Sequence, residues 1–169
     1  MVASGNDFVV IEAIRHLLSA SGQSLAKKIC NRKYGVGADG LLVLEKSKVA
    51  DLRMRIFNPD GSEAQMCGNG ARCVALYSAR EQRIKNREQR KISIETEAGI
   101  IESEVKGENV KIKLTDPKNI RLNIPVKVNK RNLKANFIDT GVPHAVIFVD
   151  GLDEIHVSQI GRAIRNHKK

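Results

Sequence analysis

Short apolar runs, most of them alternating with polar residues and cut off by turn formers, recur along this chain. Residues 7–11, 41–44, 51–57, 91–96, 99–105, 110–114, 120–128 and 145–149 all read as strands. In the 51–57 run Leu52, Met54 and Ile56 fall on one face, with Arg53 and Arg55 on the other. The run stops at Asn58-Pro59-Asp60-Gly61, where Pro presets φ and Asp and Gly close a turn. Helical periodicity is confined to 24–30, capped by Ser24, to 70–83 and to 157–166. Mostly antiparallel strands with few helices predict an α+β fold rather than a doubly wound sheet. The polar, Pro-containing stretch Thr115-Asp116-Pro117-Lys118 predicts a boundary, giving a lobe over 1–117 and a second unit over 118–169.

Within this pattern one segment carries chemistry. Met66-Cys67-Gly68-Asn69-Gly70-Ala71-Arg72-Cys73 sets a thiol ahead of a Gly-Asn-Gly turn that opens into the 70–83 helix. A thiol there lies near the partial positive charge of a helix start, with free backbone N–H groups beside it. That setting favours a reactive thiolate, and the same N–H groups suit a carboxylate. Two further segments are candidates for the same site: Gly5-Asn6-Asp7-Phe8 ahead of the first strand and the Asn58 turn. Asn6 and Asn58 each offer an amide able to donate to a carboxylate and accept from an ammonium, as an amino-acid ligand requires. Either could also be a turn residue satisfying its own backbone.

Composition removes several function classes. A hydrophobic content of 41% supports a packed core rather than global disorder. No apolar run approaches the roughly 18 residues of a membrane span, so no membrane role is expected. The chain opens with no basic region followed by an apolar one, so no secretory signal is expected, and three cysteines fit a reducing cytoplasm. The cysteine spacing is not that of a zinc site, so no metal is expected. The net charge of +10 is concentrated in Arg80, Arg83, Lys85, Arg87, Arg90 and Lys91. With few aromatics and no RNA-binding motif, this run reads as a solvated helix end rather than a nucleic-acid surface.

These segments, taken with Tyr34-Gly35-Val36-Gly37-Ala38-Asp39-Gly40-Leu41-Leu42, Thr140-Gly141-Val142-Pro143-His144-Ala145-Val146 and Ile160-Gly161-Arg162-Ala163-Ile164-Arg165, resemble the diaminopimelate epimerase family in order along the chain. The resemblance implies two similar α+β lobes, each of mostly antiparallel strands around a central helix, with the active site in the cleft. It implies no cofactor, a diaminopimelate substrate in lysine and peptidoglycan-precursor synthesis, and a homodimer. It implies a two-thiol mechanism in which one cysteine removes the α-proton and a second protonates the opposite face. By resemblance Cys67 is the first of these, His144 is a catalytically important neighbour, and Asn6, Asn58, Gly68 and Asn69 bind substrate. Cys73 and Cys30 read as small core residues. Val142 and Gly40 depart from the family, which often has Asn and sometimes Gln there. Family members continue past residue 169 with the second cysteine, a Glu-Arg pair and a further Asn, and begin a few residues earlier. The 118–169 unit is therefore expected to be the incomplete start of a second lobe, poorly stable alone, and the chain by itself is expected not to complete epimerisation. The rival expectations are a non-catalytic amino-acid-binding module of the same fold and a related racemase with another substrate.

Overall fold

A computed structural model describes residues 1–13, 22–81, 90–128 and 131–167, which divide into two units, Met1–Thr115 and Asp116–Lys169. The first unit opens with a hairpin of β1 (Val2–Ala3) and β2 (Asn6–Glu12). Ser4 and Gly5 form its two-residue loop with φ of 50° and 86°. Positive φ at both loop positions is the geometry whose twist matches paired strands, and it sets Asn6 opposite Ala3 at the first rung.

The chain then runs through α1 (Gly22–Ile29) into β3 (Gly40–Glu45), which pairs with β2 in parallel. β4 (Leu52–Phe57) returns antiparallel to β3 and turns into the short β5 (Glu63–Ala64). Next comes α2 (Gly68–Glu81), and β6 (Arg90–Thr96) joins β4 in parallel. β7 (Gly99–Lys106) and β8 (Asn109–Lys113) complete an antiparallel meander. The sheet order is β1-β2-β3-β4-β6-β7-β8, with β5 attached to β4. The two parallel pairs are the two spanned by helices, as a parallel connection requires a long crossover.

β3 is buried on both faces because a helix covers each. Leu41 and Val43 cluster with Ala26, Cys30, Ala38 and Phe57 beneath α1. Leu42 faces the other way and meets α2, where a Cβ on Gly70 would stand 3.1 Å from Leu42 Cδ2. α2 contacts β1 to β4 and β6 to β8, so the sheet curls around it. Its buried residues (Ala71, Cys73, Val74, Ala75, Ser78 and Ala79) are small enough to let the strands approach closely. Ile92 and Ile94 of β6 and Ile101 and Val105 of β7 fill the concave side by simple alternation.

Element bounds differ from expectation at both helix starts. α1 begins at Gly22, so Ser24 lies in its first turn and is not the cap. α2 begins at Gly68, which makes Cys67 the residue immediately before the helix. Residues 82–89, which hold Arg83, Lys85 and Arg87 of the basic run, lie outside the described residues; Arg80 itself pairs with Glu108 at 2.7 Å.

The second unit is a three-stranded antiparallel sheet in the order β11-β10-β9, made of β9 (Lys118–Val128), β10 (Arg131–Asp139) and β11 (Pro143–Val146), with α3 (Val157–Arg165) beyond it. The strand expected at 145–149 is displaced to Pro143–Val146, and the central strand β10 was not expected at all. Asn132, Lys134 and Asn136 mask the Leu133-Ala135-Phe137 alternation of β10 behind poor strand formers. Val126, Val128 and Ala135 are buried, whereas Ile120, Leu122, Phe148, Leu152 and Val157 are exposed. No helix among the described residues is long and apolar enough to cross a membrane.

Candidate functional site

The sheet topology brings the three segments singled out in the sequence to one end of the first unit. β2 starts at Asn6 and β3, parallel to it, starts at Gly40. β4 runs the other way and ends at Phe57, opposite Leu41, so Asn58 leaves the sheet at the same end. The Phe57↔Glu63 and Ile56↔Ala64 rungs pin the chain beside the last residues of β4, and α2 begins shortly after at Gly68.

Cys67 is the N-cap of α2. Its carbonyl accepts the Ala71 N–H at 2.8 Å, the first bond of the helix. Its Sγ accepts the Gly70 N–H at 3.4 Å, the bond a serine or aspartate oxygen usually accepts from this position. Gly68 and Asn69 are then the first two helical residues, whose N–H groups have no acceptor within a helix. The dipole of α2 adds positive potential at the same place. Cys67 is half-buried, whereas Cys30 and Cys73 are buried, and burial pushes both of their thiols up.

Beside the thiol the structure joins Asn6 and Asn69 directly. Asn69 Nδ2 donates to Asn6 Oδ1 at 2.5 Å. Arg72 Nη2 donates to Asn69 Oδ1, and also to Ser4 Oγ at 3.1 Å. Asn6 Nδ2 donates to Asp39 Oδ2 at 3.2 Å. Arg32 bridges the two carboxylates beyond, with Nη2 2.8 Å from both Asp7 Oδ1 and Asp39 Oδ1 and Nη1 3.0 Å from Asp7 Oδ2. The Arg32 guanidinium holds the Asp7 carboxyl well below the usual carboxylate range. Sequence reasoning missed Arg32, Asp39 and Arg72. The available signal was a charged residue in each of the Gly-rich segments around Asp39 and Asn69.

Asn58 is placed at the same sheet end but bonds within its own loop. Its Nδ2 donates to Ser62 Oγ at 2.9 Å, and Ser62 Oγ donates to Asp60 Oδ1 at 2.6 Å. The Gly61 N–H donates to the Asn58 carbonyl at 2.9 Å, and Gly61 takes a φ of 83° to close the loop. The Asn58 Nδ2 is thus turned toward Ser62. His144 belongs to the second unit, on β11, where it is exposed. Its Nδ1 donates to the Val142 carbonyl at 2.6 Å, which orients the ring. Among the described residues no group of His, Cys, Asp or Glu gathers in a way that could hold a metal ion.

A family model described as diaminopimelate epimerase matches residues 1–120. The chain is 40% identical to the diaminopimelate epimerase of Caldanaerobacter subterraneus subsp. tengcongensis, with 95% of this chain and 62% of the relative covered. It is 41% identical to that of Carboxydothermus hydrogenoformans, with 96% and 64% covered. It is 40% identical to that of Archaeoglobus fulgidus, with 98% and 62% covered. The chain thus spans 62 to 64% of the length of these curated relatives. Among solved structures, a PhzF-family phenazine biosynthesis protein of Bacillus anthracis superposes with a TM-score of 0.63 at 23% identity, covering 88% of this chain and 52% of that one. A hydroxyproline epimerase from Agrobacterium vitis superposes with a TM-score of 0.63 at 18% identity, covering 85% and 42%. These two likenesses establish the fold, an α+β arrangement with a mixed sheet.

Proposed function

The chain belongs to the diaminopimelate epimerase family, and from that membership we propose that it supplies the first thiol of a cofactor-independent interconversion of LL- and meso-diaminopimelate. The observation that carries this reading is Cys67 at the N-cap of α2, with the Asn6–Asn69 pair against the same helix turn. The substrate α-carboxylate accepts the Gly68 and Asn69 N–H groups, and Asn58 and His144 contribute as the family resemblance implies. Cys67 sulfur takes the α-proton: an S–H bond forms as the C–H bond breaks, and the electron pair remains on Cα and spreads into the carboxylate. An amino-acid α-proton is so weakly acidic that this charge must be stabilised as it develops, which the fixed N–H groups and the helix dipole do without reorganising. A second acid on the opposite face returns a proton and inverts the centre. Cys30 and Cys73 are buried, so neither is placed for that step. In this reading the protein works in the cytoplasm, in lysine and peptidoglycan-precursor synthesis, and as a homodimer.

The test uses the purified 169-residue chain. LL-diaminopimelate is expected to slow the alkylation of Cys67 by iodoacetamide, because the bound substrate covers the sulfur. The chain alone is expected to form no meso-diaminopimelate at an enzymatic rate, because one accessible thiol serves one face. An unprotected Cys67 would remove the substrate assignment, and full-rate epimerisation would remove the one-thiol assignment.

A further inference from the structure

We propose that Arg72 and Asp39 are positioning residues that fix which way round the Asn6 and Asn69 amides face. The inference rests on the reading of those two amides, with the start of α2, as a carboxylate clamp. A primary amide has a donor end and an acceptor end of nearly the same shape, so something must choose between its two orientations. Here the hydrogen bonds run one way along a chain. Arg72 donates to Asn69 Oδ1, Asn69 Nδ2 donates to Asn6 Oδ1, and Asn6 Nδ2 donates to Asp39 Oδ2. A guanidinium can only donate and a carboxylate can only accept, so both ends of the chain are unidirectional. Turning over either amide sets N–H against N–H at one junction and oxygen against oxygen at another.

The ends are themselves held. Arg72 is tied to Ser4 in the β1–β2 loop. Asp39 is gripped by Arg32 and by the Asp7 N–H, and the Asp39 N–H returns to Asp7 Oδ1 at 2.9 Å. Each amide nitrogen spends one N–H in the chain, and among the described residues no second acceptor takes the other. The orientation therefore leaves nitrogen donors, rather than lone pairs alone, available to an anion beside Cys67. Asp39 is itself an anion near a site for an anion, so its through-space effect opposes binding while its positioning effect supports it. The two roles have opposite signs.

That opposition gives the test. The probe is the ratio of Cys67 alkylation rates with iodoacetate, which carries a carboxylate, and iodoacetamide, which does not; Cys30 and Cys73 are buried and silent. In the whole 169-residue chain, Asn6→Ala and Asn69→Ala are expected to lower the ratio. Asp39→Asn is expected to lower it by about fivefold, the scale of one hydrogen bond, because an amide at 39 can face either way and no longer fixes the acceptor end of the chain. The lowering should disappear in an Asn6→Ala background, leaving the ratio level or raised by the removal of a nearby negative charge, because the positioning effect of Asp39 runs through Asn6. A ratio that rises or stays level in Asp39→Asn, while the Asn→Ala variants lower it, overturns the positioning role and leaves the clamp standing. A ratio unmoved by the Asn→Ala variants overturns the clamp and this inference with it. If Asp39→Asn does not fold, Arg72→Gln is measured with and without Asn69→Ala; an undiminished effect in the double variant overturns the proposal.

Discussion

Cys67 stands where serine, threonine or aspartate usually begins a helix, and it accepts the Gly70 N–H through sulfur. A hydroxyl would cap at least as well, so helix formation does not demand a thiol at this position. Several carboxylates of the first unit are held by charge or by hydrogen bonds. Asp7 is pulled below the usual carboxylate range by Arg32, Asp51 by the Ser93 N–H and hydroxyl, and Glu63 by Arg55. A carboxylate with a folded pKa below its unfolded one stabilises the fold fully above the unfolded value, and that stability is lost as pH falls through the folded value. Thermal melts should therefore be level from neutrality down to about pH 5 and fall below about pH 4, where unfolded carboxylates begin to protonate. Asp7→Asn should lower the melting temperature at pH 7 and flatten the acid limb. An acid limb identical to wild type would show that the Arg32–Asp7 pair contributes nothing to it.

At the scale of elements, the loop from α1 to β3 sets the Arg32–Asp39 frame. A Cβ on Gly35 would lie 2.2 Å from the Lys28 carbonyl oxygen and 2.6 Å from that of Ile29. Both atoms are backbone at the end of α1, and Gly35 N–H also donates to Asn31 O at 2.8 Å, so neither side can give way. Gly35→Ala should cost about 2–3 kcal/mol in a denaturant titration, as overpacking against fixed atoms does; a change below about 0.5 kcal/mol would contradict the contact. The same elements show what a sequence reveals. β6 and β7 were legible because Ile92 and Ile94, and Ile101 and Val105 on either side of Ser103, fall at alternate positions. The start of α2 was placed too late because Gly68 and Asn69 are poor helix formers, and the cap that admits them is a cysteine. β10 was hidden by its Asn and Lys residues. Cys67, Asn6 and Asn69 were visible from their local motifs. Asp39, as the partner of Asn6, was not: the Asn6–Asp39 and Asn69–Asn6 bonds join residues 33 and 63 positions apart, and no local spacing encodes them. Arg72 lies only three residues from Asn69, but an i, i+3 spacing does not by itself say that two side chains bond.

For the molecule as a whole, the first unit holds the packed core and the thiol, and the second exposes much of its apolar surface. Among the described residues there, Val126, Val128 and Ala135 are the buried ones beneath three strands, a core on the small side for an independent sheet. His144 lies in that second unit. Membership of the diaminopimelate epimerase family and the N-cap geometry of Cys67 meet in one claim, that the first turn of α2 grips the carboxylate of an amino acid beside a reactive sulfur. The most direct measurement is a ¹H–¹⁵N spectrum of the chain titrated with LL-diaminopimelate. We expect the backbone N–H signals of Gly68 and Asn69 and the side-chain amides of Asn6 and Asn69 to move together and saturate, while those of β7 and β8 stay in place. Saturating shifts that bypass Gly68 and Asn69, or no shift at any concentration, would contradict it.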